Sequence, residues 1–313
     1  MVKKNKKNKL IALVGPTGIG KTRVSIELTK IINAEIVSAD SMQIYIGMDI
    51  GTSKPSINQR KEVPHHMIDI CNPDHIMTVA EFQGLARRCI ADISNRGRTP
   101  FLVGGSGLYI RAVIDDLNFA KNIISEVEKI KLRKRVKEEG SESLYNELIK
   151  IDEEYAKKIS SRDVKRIIRA LEVYYVSGTK FSSFQKKWDE RKSIYDLTII
   201  GLNKDRNELY NNIEKRVDDM IDLGLFDEVK ELMEKGYSES LALKQAIGYQ
   251  EILSFYDGKL SRKEAIDLIK KNTRNFAKRQ LTWLRADPRV KWVFINKDEK
   301  SDNIIKRIIN IIF

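Results

Sequence analysis

Cysteine is scarce in this 313-residue chain, and Cys71 and Cys89 are too few for a disulfide framework. Long hydrophobic runs are missing as well. No apolar stretch approaches the roughly 20 residues that a bilayer-spanning helix needs. The opening MVKKNKKNKLIALVGPTG is charged in front like a secretory leader, but its apolar run extends only from Leu10 to Val14 before Gly15 and Pro16. That run is expected to be a strand, and the protein is expected to be soluble and cytoplasmic, with no membrane partner. There is no internal repeat, and low complexity is confined to the lysine-rich first nine residues, expected to be frayed. Paired zinc-ligand spacing is absent too. His65, His66, Cys71 and His75 fit no such motif, so packing or hydrogen bonding is expected of them. Negative charge is in deficit: 57 Lys and Arg face 44 Asp and Glu, a net charge of +13, in a chain that is 42% apolar. Such a balance describes a basic folded surface rather than a disordered tail. A polyanionic partner is expected, although only the placement of the charges can identify it.

What is present is ordered in alternation. KLIALV (9–14), AEIVSAD (34–40) and TPFLVGGSG (99–107) read as strands, and KTRVSIELTKII (21–32) and TVAEFQGLARRCIADI (78–93) as helices. This order predicts an α/β fold, a P-loop NTPase-like parallel sheet flanked by helices, with ligands beyond the carboxyl ends of the strands. From about 118 to 195 the pattern becomes charged and helical, with almost no strand candidate. It is expected to be an inserted all-helical domain, with residues 1–117 and 196–313 forming the core. The sheet resumes at YDLTIIGL (195–202) and VKWVFIN (290–296), with long helices at 206–236 and 261–286 between them. SDNIIKRIINIIF at 301–313 reads as an amphipathic docking helix.

Gly15, Pro16, Thr17, Gly18, Ile19, Gly20, Lys21 and Thr22 spell GPTGIGKT, a G-x-x-x-x-G-K-T loop between a strand and a helix. Its amides and the helix N-terminus face an anion, Lys21 adds positive charge, and the Thr22 hydroxyl can ligate Mg²⁺. Asp40, ending the second strand, either organises that metal or receives a proton from an attacking group. Ser41, Gln43 and Tyr45 follow with hydrogen-bonding groups and a ring suited to a nucleobase pocket, though polar loops are common. VGGSGLY (103–109) is a third strand-end loop, where Gly104 and Gly105 permit close approach of a ligand and Ser106 offers a hydroxyl. Arg162, Arg166 and Arg169 fall at i, i+4, i+7 opposite Ile168, Leu171 and Tyr175, and Lys271, Arg274, Lys278 and Arg285 make a second cationic stripe. Such stripes are either solvated faces or phosphate contacts. Tyr249, Gln280 and Trp283 are candidates for facing or stacking on bases.

Seven blocks in order, GPTGIGKT, SADSMQIY, VPHHMID, VGGSGLY, RDVKRIIRALEV, QAIGYQE and NTRNFAKRQLTWLR, resemble those of the tRNA dimethylallyltransferases, or tRNA isopentenyltransferases, from about residue 10 to 295. The resemblance implies a loop that holds the pyrophosphate of dimethylallyl diphosphate with Mg²⁺. The acceptor it implies is the exocyclic N6 amine of the adenine 3′ to the anticodon, in the anticodon stem-loop of tRNA. It implies Asp40 as base, Arg216 and Lys21 as stabilisers of the leaving group, and Thr17 as a second active-site hydroxyl. The implied tRNA-contacting residues are Asp40, Ser41, Met42 and Gln43; Ser106; Lys165, Arg166, Ile167, Ile168 and Arg169; Gln245, Ala246, Ile247, Gly248, Tyr249 and Gln250; and Lys278, Arg279, Gln280, Trp283 and Arg285. Ser106 departs from the family's usual threonine and keeps the hydroxyl. No zinc-finger extension like that of eukaryotic relatives accompanies the blocks, the pattern of a bacterial-type enzyme. A monomer without an obligate protein partner is expected.

Two other classes compete. A nucleoside or small-molecule kinase would use the loop for ATP and Asp40 on a hydroxyl, but leaves the net charge and the later blocks unexplained. A non-catalytic RNA-binding module leaves the loop idle.

Overall fold

Short β-branched runs become the strands of one sheet in the computed structural model, which describes residues 7–119, 125–185 and 187–313. The strands are β1 Lys9–Val14, β2 Ala34–Ala39, β3 His65–His66, β4 Thr99–Gly104, β5 Asp196–Lys204 and β6 Val290–Ile295. Their order is β3-β2-β4-β1-β5-β6, and every neighbouring pair is parallel. The helices are α1 Lys21–Ile31, α2 Ile57–Glu62, α3 Val79–Asn95, α4 Gly107–Ile114, α5 Glu126–Glu139, α6 Ser141–Ile151, α7 Glu153–Ala156, α8 Val164–Ser177, α9 Arg206–Asp222, α10 Leu225–Glu234, α11 Leu241–Gln245, α12 Tyr249–Tyr256, α13 Arg262–Arg285 and α14 Ser301–Ile312. Contacts divide the chain into two units, Met1–Ile114 with Ser193–Phe313, and Asp115–Lys192.

In the first unit the central strands are buried on both faces, which is why they read as continuous apolar runs rather than alternating ones. Leu10, Ala12, Val14, Val37 and Ala39 face one core, and Ile11, Leu13, Ala34 and Ile36 face the other. The second core is completed by Ile304, Ile305 and Ile308 of α14, the docking face expected of the 301–313 segment. Register decides where function can sit. Val14 and Ala39 both pair with Gly104, so β1, β2 and β4 end at one level, while β5, paired with Val14 at Gly201, runs on to Lys204. The loops that follow β1, β2 and β4 therefore emerge side by side.

Three expectations need correction. The helix at 206–236 is broken, because Gly224 adopts φ 96° and starts α10 in a new direction. His65–His66, not read as a strand, pairs with Ile36 and Val37. Of the first nine residues, expected to be frayed, residues 1–6 lie outside the described ones, and the last three are ordered. Lys7 Nζ donates to the Ser193 carbonyl at 2.6 Å, and Lys9 already belongs to β1.

The second unit is helical. Leu132, Leu144, Leu148, Tyr155, Ile167, Ile168 and Leu171 form its core from α5, α6, α7 and α8.

Candidate active site

The turn from β1 into α1 demands glycine. Gly18 has φ 78°, and a Cβ there would lie 2.7 Å from the Ile213 side chain of α9. Gly20 caps α1 at φ 95° without a side chain, so no side-chain acceptor covers the first-turn amides. That combination is an anion cradle. Lys21 folds back over it, its Nζ donating to the carbonyls of Gly15 at 2.9 Å and Pro16 at 2.8 Å. Burial, reinforced by the positive charge of Arg216 and opposed by Asp40, lowers the Lys21 pKa to about 7. Burial also lowers that of Arg216, with Asp40 again opposing. Two cations and one carboxylate thus share a poorly solvated space, and a further negative charge would be stabilised there.

Asp40 follows β2 directly. Its Oδ1 accepts from the amides of Met42 at 2.9 Å and Gln43 at 3.4 Å, which holds the carboxylate in a fixed turn. A cleft of about 380 Å³ opens in front of it. Of the residues expected in the site, this cleft gathers Thr17, Asp40, Ser41, Met42, Arg216, Gln245 through Gln250, and Arg279. Its remaining wall was not anticipated: Ile213, Val217 and Met220 on α9, Ile269, Asn272, Thr273 and Phe276 on α13, and Gly51 with Thr52. The signal was present, since each helix contributes residues at i, i+3, i+4 and i+7, one face of a helix.

Several expected contacts are engaged elsewhere. Gln43 accepts from Ser38 Oγ at 2.9 Å and donates to the Thr52 and Ser53 carbonyls, so its amide supports the loop rather than a base. Tyr45 is 7% exposed and belongs to the core. Tyr249, a stacking candidate, is wholly buried, and its hydroxyl donates to Glu228 at 2.6 Å. Gln280 is 5% exposed, and its Oε1 accepts from the Thr17 amide at 2.8 Å, tying α13 to the phosphate loop. The close approach at Gly104 and Gly105 is made by protein: a Cβ would lie 2.5 Å from the Ala39 carbonyl at Gly104 and 2.3 Å from Gln280 Nε2 at Gly105. Trp283, 40% exposed, packs on Gly107, and Ser106 stands half-buried beside it in the loop after β4.

The cationic stripes divide. In the second unit Arg162 precedes α8 rather than lying on it, Arg169 is held by the buried Glu172 at 2.7 Å, and Arg166 faces Asp163 at 3.3 Å. Lys165 and Arg166 are exposed, whereas Ile167 and Ile168 are core residues whose side chains cannot reach a ligand. Tyr175, assigned to the apolar face, is 40% exposed. On α13 Arg274 is paired with Glu214, while Lys278 and Arg285 have no carboxylate partner among the described residues.

The histidines are separately engaged. His65 bonds the Val63 carbonyl at 2.7 Å, His66 bonds Glu35 at 2.7 Å, and His75 bonds Glu81 at 3.0 Å. Among the described residues no group of three or more His, Cys, Asp or Glu side chains could hold a metal. A magnesium ion at the loop would therefore draw on the Thr22 hydroxyl, which makes no hydrogen bond among the described residues, and on ligand phosphates and water, the usual habit of that ion. Among the described residues no helix is long and apolar enough to cross a membrane.

The sequence pattern of the IPP transferases matches residues 43–287. The tRNA dimethylallyltransferase of Carboxydothermus hydrogenoformans is 49% identical over 96% of both chains, and that of Geobacillus thermodenitrificans is 46% identical over 93% of this chain and 92% of its own. Among solved structures, the full-length tRNA isopentenylpyrophosphate transferase from Bacillus halodurans superposes with a TM-score of 0.73 at 43% identity, covering 98% of this chain and 96% of that one. A eukaryotic dimethylallyltransferase acting on tRNA gives a TM-score of 0.82 at 27% identity, over 96% of this chain and 77% of that one.

Proposed function

This chain belongs to the IPP transferase family, the tRNA dimethylallyltransferases, and its activity is dimethylallyl transfer to tRNA; from that premise we propose how the cleft performs it. The donor is dimethylallyl diphosphate, with its diphosphate in the Gly15–Thr22 loop and its C5 chain against Val217, Met220, Ile269 and Phe276. The acceptor is the N6 amine of the adenine 3′ to the anticodon, extruded from the anticodon loop into the cleft. Its lone pair forms the N–C1 bond while the C1–O bond breaks, and diphosphate departs with the bonding electrons. The N6 proton passes to the free oxygen of Asp40, whose other oxygen is held by two amides. Lys21, Arg216 and the Thr17 hydroxyl receive the charge that accumulates on the leaving group. A magnesium ion held through Thr22 would supply further positive charge there.

The observation that carries this reading is geometric: Lys21 lies over the glycine-rich loop, Arg216 stands in the cleft with Asp40 as the one carboxylate of its lining, and Ile213, Val217, Met220, Ile269 and Phe276 form an apolar patch of the same wall. A phosphate-bearing ligand with a short hydrocarbon end complements both. On the outer surface, Lys165 and Arg166 of α8 and Lys278 and Arg285 of α13 supply phosphate contacts to the tRNA stem.

Incubating the chain with unmodified tRNA and labelled dimethylallyl diphosphate should put label into RNA and release diphosphate. Asp40→Asn should lower turnover by about 10²–10⁴-fold, the range of general-base contributions, while tRNA still binds. Undiminished turnover would remove Asp40 as the base.

A further inference from the structure

A second cavity, of about 210 Å³, lies at the carboxyl end of β5, and the transfer reaction does not use it. Its wall includes Asn203 and Lys204 from β5, Arg206 and Tyr210 from α9, and Lys278 and Arg285 from α13. Four cations meet in one concavity, with little carboxylate to balance them. Lys204 has Glu208 at 3.6 Å, whereas Arg206, Lys278 and Arg285 have no acidic partner among the described residues. Arg206 is held in place instead: its guanidinium stands 5.1 Å from the Tyr210 ring centroid, and its Nε donates to the Tyr210 hydroxyl at 3.2 Å. Like charges in a concave wall repel one another and focus a positive potential into the space between them.

One feature separates this cavity from a general anion trap. The Oδ1 of Asn203 is buried and has no hydrogen-bond partner. A buried unsatisfied acceptor costs free energy until a donor reaches it. The complementary ligand therefore carries negative oxygens for the cations and a hydroxyl donor for Asn203. An RNA phosphodiester with its adjoining 2′-hydroxyl carries both, and DNA lacks the second. We propose that this cavity seats one phosphodiester and the neighbouring ribose of the tRNA substrate, adding Asn203, Lys204, Arg206 and Tyr210 to the footprint of α13. The proposal rests on the tRNA-facing role given above to Lys278 and Arg285.

The test is equilibrium binding of an unmodified tRNA to the full chain over a salt series. Lys204→Gln and Arg206→Gln should each weaken binding about three- to tenfold near 0.1 M salt and reduce the slope of log K against log[salt] by about 0.7–0.9, the value of one phosphate contact. Arg206→Lys should restore the slope. Lys230→Gln, which removes an exposed cation of α10, should change neither quantity. Asn203→Ala should narrow the preference for an RNA anticodon stem-loop over its DNA counterpart. Slopes for Lys204→Gln and Arg206→Gln equal to that of Lys230→Gln would overturn the proposal while leaving the transfer mechanism intact. Failure of the unaltered chain to bind tRNA at all would instead overturn the tRNA-facing role of α13.

Discussion

Glu228, which does not line the cleft, organises one wall of it, and Glu228→Gln should expose that role. The carboxylate accepts from three successive amides, those of Asp49 at 2.9 Å, Ile50 at 2.7 Å and Gly51 at 3.2 Å, and from the Tyr249 hydroxyl at 2.6 Å. Burial and the Glu228 charge both push the Tyr249 pKa well above its ordinary value, so the phenol keeps its proton and donates. Gly51 permits the arrangement, since a Cβ at that position would lie 2.4 Å from the Tyr249 ring. A glutamine is nearly isosteric but offers one accepting oxygen, and its NH₂ would confront donors. Hydrogen bonds to a charged acceptor contribute about 1.5–3 kcal/mol each, and the exposed side of this loop regains part of that from water. A net loss of about 2–4 kcal/mol follows if two bonds are lost. That corresponds to a fall in Tm of roughly 5–15 °C, from about 2–4 °C per kcal/mol for chains approaching this length. Because Gly51, Thr52 and Tyr249 face the cleft, the KM for dimethylallyl diphosphate should rise together with this loss. Thermal unfolding and steady-state kinetics read the two effects. A Glu228→Gln chain with unchanged Tm and unchanged donor KM would refute the reasoning.

Two further outcomes follow from the loop. Because burial holds the free Lys21 near pKa 7, and a bound diphosphate would raise it, donor binding takes up a proton above that pH. Donor affinity should therefore be full below about pH 7 and weaken with rising pH by up to tenfold per unit; affinity that stays flat from about pH 6 to pH 9 would contradict it. Gly105→Ala would press a methyl against Gln280 Nε2 and the Gly15 carbonyl, loosening the Gln280 bond to the Thr17 amide. Overpacking of this kind costs about 1–3 kcal/mol, so melting measurements should show a fall and donor KM a rise; a wild-type value of both would count against Gln280 as a positioning residue.

The glycine-rich turn between β1 and α1 was legible because everything that makes it lies within a few residues. The strand ends, glycines take left-handed angles at Gly18 and Gly20, and a lysine opens the helix. Asp40 was legible for the same reason, as the first residue beyond a buried strand. The basic stripes were legible only as charge. The sequence does not show that Arg274 meets Glu214 and Arg169 meets Glu172 while Lys278 and Arg285 meet no carboxylate among the described residues. Tyr249 and Gln280 carry the polar groups and ring expected of base contacts, yet one supports Glu228 and the other the Thr17 amide.

Residue order alone determined the alternation of strand and helix, the glycine-rich turn after β1, the helical stretch and the family, because backbone sterics and side-chain periodicity act over neighbouring positions. Tertiary structure decided which polar groups face the cleft. Gln280 reaches Thr17 across 263 residues of chain. Glu228 reaches Asp49 across 179. Burial and pairing at such separations depend on how the sheet and helices pack, and no local pattern encodes them.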